Sequence, residues 1–327
     1  MNTGNAGSWD RYWAHGFLTS CADAFAGNYE GSMRTVWEKR FSALPDGSRV
    51  LDICTGNGAI ALIAAATARR LDCKLLIHAI DLADIHPERA VNDEARPLLD
   101  DISFHPRTDV CETGFSNDSF DLISGHFALE YADREPAVRE LVRITAENGE
   151  HMFIMHSTES VILKTAAVEL QHIDLLHGSA LFERASDFLR MVGNRSAQEK
   201  QALAQKPEAE ERRTALNRAA ALVSAAIKQS AHPEILRTAL GHVSAAYKAL
   251  ENQGLEKALQ QLQLGATEIA ANAGRLRDLR QAASTRQDIK DLGKLYAKHG
   301  FADFQYDALK EEPAGLIGWV VHARKSG

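Results

Sequence analysis

Leu51-Asp52-Ile53-Cys54-Thr55-Gly56-Asn57-Gly58 is the stretch that decides the fold. An apolar run from Val50 to Ile53 meets two glycines, and an Ala- and Ile-rich stretch without Gly or Pro follows from Ala59 to Arg70. The run reads as a strand and the glycines as a sharp turn that lets a ligand approach the main chain. The stretch after them reads as a helix whose first N–H groups are free. Alone, such a G-x-G is weak, and Gly56-x-Gly58-x-x-Ala61 also fits a dinucleotide-binding turn.

The same alternation continues outward. Leu75 to Ile80 predicts a second strand, ended by Asp81. Ile102 to His105 predicts a third and Phe120 to Ser124 a fourth. Ala137 to Thr145 puts Val138, Leu141, Val142 and Thr145 on one helical face, Gly149 closes that element, and His151 to Met155 makes a fifth strand. Strands alternating with helices imply parallel pairing, and their apolarity on both faces implies cover on each side. From 159 to 299 the pattern is almost wholly helical. Within 196–285, 22 of 90 residues are Ala and Leu or Ile recurs every three or four positions, the stripe of helices packed on each other. Strands return near 304–309 and 319–323.

With 327 residues, a net charge of −7 and 45% hydrophobic residues, the chain has room for a sizeable core and a surface unsuited to bulk nucleic-acid binding. No apolar run is long enough to span a membrane, and the first residues lack a secretion signal, so no membrane partner and a cytoplasmic location are expected. Cys21, Cys54, Cys73 and Cys111 have no metal-site spacing and, apart from Cys54, which falls inside the glycine motif, read as reduced thiols used as small core residues; no metal is expected.

Three carboxylates give the glycine turn its meaning. Asp52 lies at the end of the first strand, where it would oppose a pyrophosphate but suits a ligand bearing an ammonium and a sulfonium. Asp81 ends the second strand, where it can accept from two ribose hydroxyls, and Asp109-Val110 follows the third, where a base edge would lie. Together with Asp118-x-Phe120-Asp121-Leu122-Ile123 and Arg139 to Gly149, these residues resemble the class I S-adenosylmethionine-dependent methyltransferases over 49–158 and 286–327. The chain departs from that family's V-L-D-x-G-x-G-x-G motif at Cys54, where the family has its first Gly.

The resemblance implies an α/β, Rossmann-like, mainly parallel seven-stranded sheet with a closing antiparallel hairpin, here with a large all-helical insertion at 159–285 and an N-terminal helical lid at 1–48. It implies S-adenosyl-L-methionine as cofactor. Gly56, Gly58, Asp52 and the backbone near Cys54 would hold the methionine moiety, and Asp81 with Leu82 the ribose. Asp109 and Val110 would frame the adenine, and Gly125 and His126 would face cofactor and substrate.

For chemistry, His126 after the fourth strand, His156 after the fifth, and Glu130 between them are the expected catalytic residues, with His126 as a base for a hydroxyl acceptor. Trp9, Tyr12, Trp13 and Phe17 are spaced to share one helical face, either as core or as a lid over the ligands. The helical block is expected to assemble a homodimer and to wall the acceptor pocket. O-methylation of a small molecule is the expected activity. A scaffold working through its helical block and a nicotinamide-dependent oxidoreductase are the alternatives.

Overall fold

A computed structural model describes residues 6–20, 25 and 27–325; the opening five residues and Cys21 lie outside them. The chain forms two compact units, one of residues 1–163 with 278–327 and one of 164–277.

The first unit begins with α1 (Ala6–Ala14) and α2 (Gly31–Ser42). Then come β1 (Arg49–Ile53), α3 (Ala59–Arg70), β2 (Leu76–Ile80) and a short α4 (Pro87–Ala90). β3 (Ile102–His105), β4 (Phe120–His126), α5 (Arg134–Ile144) and β5 (Thr145–His156) follow. The strands lie in the order β3-β2-β1-β4-β5 and pair in parallel. The chain next enters the helices α6 (Val161–Ser179), α7 (Leu181–Val192), α8 (Ala197–Ala204), α9 (Pro207–Gln229), α10 (Glu234–Gln253) and α11 (Leu255–Ala282). It returns through α12 (Arg286–Lys298) to β6 (Asp303–Glu311) and β7 (Gly315–Arg324). β7 pairs antiparallel with β5 and with β6, completing a seven-stranded sheet in the order β3-β2-β1-β4-β5-β7-β6. This is the mainly parallel sheet with a closing hairpin that the sequence implies.

The central strands are buried on both faces, which explains their unbroken apolar runs: Val50, Leu51, Ile53, Leu122 and Ile123 are at most 1% exposed. One core layer gathers Trp37 and Phe41 of α2 with the Ala- and Ile-rich face of α3, and the other gathers Val138 and Leu141 of α5 with Leu292 and Tyr296 of α12. Thr145, placed by its periodicity on the helix, instead opens β5. Its hydroxyl donates to the Leu141 carbonyl (2.5 Å) and so accepts from His151 Nε2 (2.6 Å), while His151 Nδ1 accepts from the Tyr296 hydroxyl (2.8 Å). Burial lowers the His151 pKa to about 3, so the ring is neutral and each polar atom of the chain is used.

In the second unit, the apolar stripes of α7, α9, α10 and α11 meet in one cluster that includes Leu189, Leu216, Val223, Leu236, Val243 and Leu262. Leu222 and Leu264 remain about half exposed. No helix among the described residues is long and apolar enough to cross a membrane.

Candidate active site

Strand order reverses between β1 and β4, and ligands of open α/β sheets bind at the carboxyl ends of strands beside such a switch. There a cavity of about 670 Å³, counting its open mouth, is lined by Asp52 and Cys54 at the end of β1, Asp81 and Leu82 after β2, and His126 and Phe127 at the end of β4. Trp9, Trp13, Tyr29 and Tyr131 complete an aromatic wall.

The glycine turn takes its shape from local conformation. Gly56 and Gly58 have φ of +55° and +90°. A Cβ on Gly56 would stand 2.5 Å from the Trp13 ring and one on Gly58 2.8 Å from Phe104, so neither position tolerates a side chain. Cys54 also sits in the left-handed region, with φ +47°. The chain thus holds a cysteine in a conformation that favours glycine. Small side chains bear that conformation better than β-branched ones. Cys54→Gly should keep the turn, whereas Cys54→Val should lose about 1–3 kcal/mol, measured by urea unfolding of both variants. Burial beside several carboxyls pushes the Cys54 thiol well above its ordinary pKa, so it is a neutral wall residue.

The two carboxyls are held differently. Asp52 is 1% exposed and accepts from the hydroxyls of Thr55 (2.5 Å) and Ser124 (2.9 Å). Ser124 lies opposite Asp52 in the β1–β4 register. Asp81 accepts from the main-chain N–H of Gly56 (2.8 Å) and of Ala83 (2.8 Å), tying the glycine turn to the loop after β2. Burial raises the pKa of Asp52 to about 7 and of Asp81 to about 6. Neither Lys nor Arg is among the described residues that line the cavity. Two buried carboxyls without a cation fit a cofactor bearing sulfonium and ammonium, and they oppose a pyrophosphate.

Asn57, between the two glycines, was not singled out by the sequence. Its Nδ2 donates to the carbonyls of Trp13 (3.0 Å) and Phe17 (2.8 Å), and its Oδ1 accepts from the His86 N–H (2.7 Å). It clamps α1 over the turn. An Asn in a glycine-rich loop is an ordinary turn residue in sequence; only long-range contacts reveal this use. Of the N-terminal aromatics, Tyr12 and Trp13 pack with Ala83 and Ile85, and Trp9 and Trp13 also line the cavity. These rings are therefore core and cavity wall at once. Phe17 lies beyond the end of α1 and is 40% exposed, so the single helical face does not extend to it.

The other expected site residues divide. Asp109 Oδ1 accepts from the Cys111 N–H (2.8 Å), a local turn, and Val110 is buried against Phe120 and Leu141; neither lines the cavity. Gly125 serves packing, since a Cβ there would lie 2.9 Å from Ile53 and 3.1 Å from Phe153. His156 stacks on Phe127 at 3.7 Å, and its main-chain N–H donates to Glu130 Oε1 (2.7 Å). The wall at this point is Phe127, and His156 and Glu130 stand outside the lining. Burial pushes Glu130 up to about 7 and His156 down to about 3. Glu130 Oε2 and His156 Nδ1 are buried without a protein partner. Among the described residues no group of three or more His, Cys, Asp or Glu is arranged to hold a metal ion.

His126 does line the cavity, but its expected role as a base meets a physical obstacle. The indole N–H of fully buried Trp37 donates to His126 Nδ1 (2.9 Å). An indole nitrogen only donates, so Nδ1 must accept and the neutral ring carries its proton on Nε2. Burial, aided by His156, holds the ring well below its ordinary pKa. Nε2 is enclosed and has no partner among the described residues, which costs about 1–3 kcal/mol, and a ligand oxygen reaches it only when a neighbouring side chain of the cavity wall moves aside. His126 therefore offers a donor.

Residues 50–149 match the model of the methyltransferase domain. With this sheet order and glycine turn, that stretch is a methyltransferase domain of the class I S-adenosylmethionine-dependent family, whose cofactor is S-adenosyl-L-methionine. No curated protein matches the chain in sequence. Among solved structures, phosphoethanolamine N-methyltransferase 2 of Haemonchus contortus with S-adenosyl-L-methionine is 13% identical, with a TM-score of 0.46. That match covers 100% of this chain and 59% of the other, so the chain spans well under two thirds of that relative's length. A candidate S-adenosyl-L-methionine-dependent methyltransferase of Methanococcus maripaludis is 14% identical over 90% of this chain and 84% of its own, with a TM-score of 0.42. The YcgJ protein of Bacillus subtilis is 14% identical over 90% of this chain and 98% of its own, with a TM-score of 0.36. The class follows from the domain match and the site, not from these distant likenesses.

Proposed function

We propose that this protein transfers a methyl group from S-adenosylmethionine to an oxygen of a small acceptor that is neutral or cationic and has a flat apolar body. The observation that carries this reading is the cavity itself, which combines two buried carboxyls and an aromatic wall with no Lys or Arg among the described residues that line it. When bound, S-adenosylmethionine supplies a methyl on a sulfonium that departs as a neutral thioether. Asp81 would accept from the ribose hydroxyls with its remaining lone pairs, and Asp52 would favour the positively charged methionine end. The rings of Trp9, Trp13, Tyr29 and Tyr131 would exclude water and align the acceptor.

His126 supports oxygen over nitrogen. A hydroxyl oxygen has two lone pairs, so it can accept from Nε2–H and still present one to the methyl; as the carbon–oxygen bond forms and the methyl–sulfur bond breaks, the hydroxyl proton passes to water at the open mouth of the cavity, because the His126 ring takes none. A neutral amine has a single lone pair and would lose its nucleophile to the same contact. An anionic acceptor would enter beside two carboxyls with no Lys or Arg among the described lining residues to compensate it. Incubation with methyl-labelled S-adenosylmethionine and a panel of phenols, alcohols, amines and phosphorylated alcohols tests the reading. Label is expected on oxygen of uncharged or cationic compounds; transfer confined to amines or to phosphorylated compounds would refute it. The helical unit is proposed to assemble a homodimer in the cytoplasm, and light scattering that shows a monomer at every concentration would reject the assembly.

Cofactor affinity should depend on pH with a fixed sign. Asp52 and Asp81 bind the cofactor as carboxylates, and in the free protein they titrate near 7 and 6. Affinity should therefore be flat well above pH 7 and weaken as pH falls through about 7, where Asp52 protonates, and further through about 6, where Asp81 does, by up to about tenfold per pH unit for each group. Calorimetry across pH 5–8 checks this, and affinity that improves on acidification contradicts it.

A further inference from the structure

We propose that Trp37 is a positioning residue that fixes the tautomer of His126, presenting Nε2–H to an oxygen of the bound ligands. The inference rests on the pocket being the cofactor and acceptor site. Its test reads the His126 ring directly and stands apart from any methyl transfer.

Trp37 lies 89 residues before His126 in sequence, on α2, and its side chain has no exposed surface. Such an indole is more than filler. Its Nε1–H points at His126 Nδ1 from 2.9 Å, and a tryptophan nitrogen has no second role to play. The ring so held is also clamped on its flanks. Tyr29 stacks on it at 4.2 Å and 7°, and Phe127 meets it edge-on at 4.4 Å. Of the two ring nitrogens, one is thus committed and the other, Nε2, has no protein partner. In the free ring either nitrogen can carry the proton; here the donor behind it selects one. The clamping contacts come from α2, from the segment before it and from the residue after β4, so the orientation does not depend on a mobile loop.

Other titratable groups face this ring or its cavity. His156 on β5 acts on its charge, Tyr29 covers one face, and Asp52 and Asp81 line the same cavity from β1 and β2. None of them is recorded as a hydrogen-bond partner of Nε2, which is the atom left for a ligand. A second histidine pair, His78 and His105, lies 2.9 Å apart on β2 and β3, but it faces Phe115 and Phe120 and does not line this cavity.

Nitrogen-15 NMR of the full chain decides the matter, with the His126 signals identified by their loss in His126→Gln. The wild type should show a single neutral tautomer protonated at Nε2, unchanged from pH 5.5 to 8. In Trp37→Phe the indole donor is gone, and the ring should show both tautomers or begin to titrate in that range. Addition of S-adenosylhomocysteine should leave the wild-type tautomer in place. Where an acceptor is methylated, His126→Gln, which retains an N–H donor but no base, should turn over about tenfold faster than His126→Ala. A wild-type ring protonated at Nδ1, or one titrating near neutrality, overturns the proposal without recourse to any variant. A Trp37→Phe protein that folds and keeps the pure Nε2–H form overturns it as well, because another group would then set the tautomer. Equal loss in His126→Gln and His126→Ala, with a neutral limb in the wild-type rate, would restore the base.

Discussion

Asp81→Ala should lose affinity for S-adenosylmethionine by at least about 100-fold. Two hydrogen bonds to a charged acceptor are worth about 1.5–3 kcal/mol each, and roughly 3 kcal/mol is a little over two orders of magnitude in Kd. The structure adds a consequence that the sequence did not suggest. Asp81 also accepts from the N–H groups of Gly56 and Ala83, so alanine leaves two buried donors unpaired and costs fold stability as well, about 1–3 kcal/mol for each. Asp81→Asn retains one acceptor oxygen and should separate the two effects, losing binding with a smaller loss of stability. Calorimetric titration paired with urea unfolding measures both. An alanine variant that binds the cofactor normally would remove Asp81 from the site.

Asp52→Asn should behave in the opposite sense for stability: the ligand-free variant should be more stable than the wild type at pH 8. Burial holds the folded-state pKa of Asp52 near 7, well above its ordinary carboxylate value. Between those two values the folded state binds the proton that the unfolded state releases. The penalty for the buried charge is therefore complete above about pH 7 and vanishes near pH 4. Removing the charge should gain on the order of 2–4 kcal/mol at pH 8 and nothing at pH 4. The same variant should bind S-adenosylmethionine weakly, because the amide cannot answer the cofactor's positive end. Stability given up at a ligand site is a recurrent trade in enzymes. Thermal melts at the two pH values decide it; a variant no more stable at pH 8 would mean that Thr55 and Ser124 already satisfy the ionised carboxyl.

The elements that position the site were legible because each announces itself locally. Ala59 to Arg70 has an unbroken helical composition and forms a helix over those residues, and Ile102 to His105 is a strand over those residues. Gly56 and Gly58 adopt the left-handed conformations that a turn of this kind demands. Helical spacing continues one residue past the helix to Thr145, which instead pairs with Phe120 of β4 and so belongs to β5. Asp52, Cys54, Asp81, Leu82 and His126 line the cavity, and Gly56, Gly58, Asp109, Val110 and Gly125 do not, the two turn glycines being covered by the Trp13 and Phe104 rings. A motif places a residue after a strand, but the packing of the following loop decides where its side chain turns. The tautomer of His126 was beyond reach for the same reason. It depends on Trp37, a residue that sequence alone counts simply as apolar and aromatic. The clamp at Asn57 likewise joins segments some 40 residues apart.

The central claim is that the cavity at the carboxyl ends of β1, β2 and β4 holds S-adenosylmethionine. Isothermal titration of the full chain at pH 7.5 with S-adenosylmethionine, S-adenosylhomocysteine and NAD tests it most directly. Saturable binding of the first two, abolished in Asp81→Asn, with no heat from NAD, is the predicted result. Binding of NAD alone, or of none of the three, would contradict it.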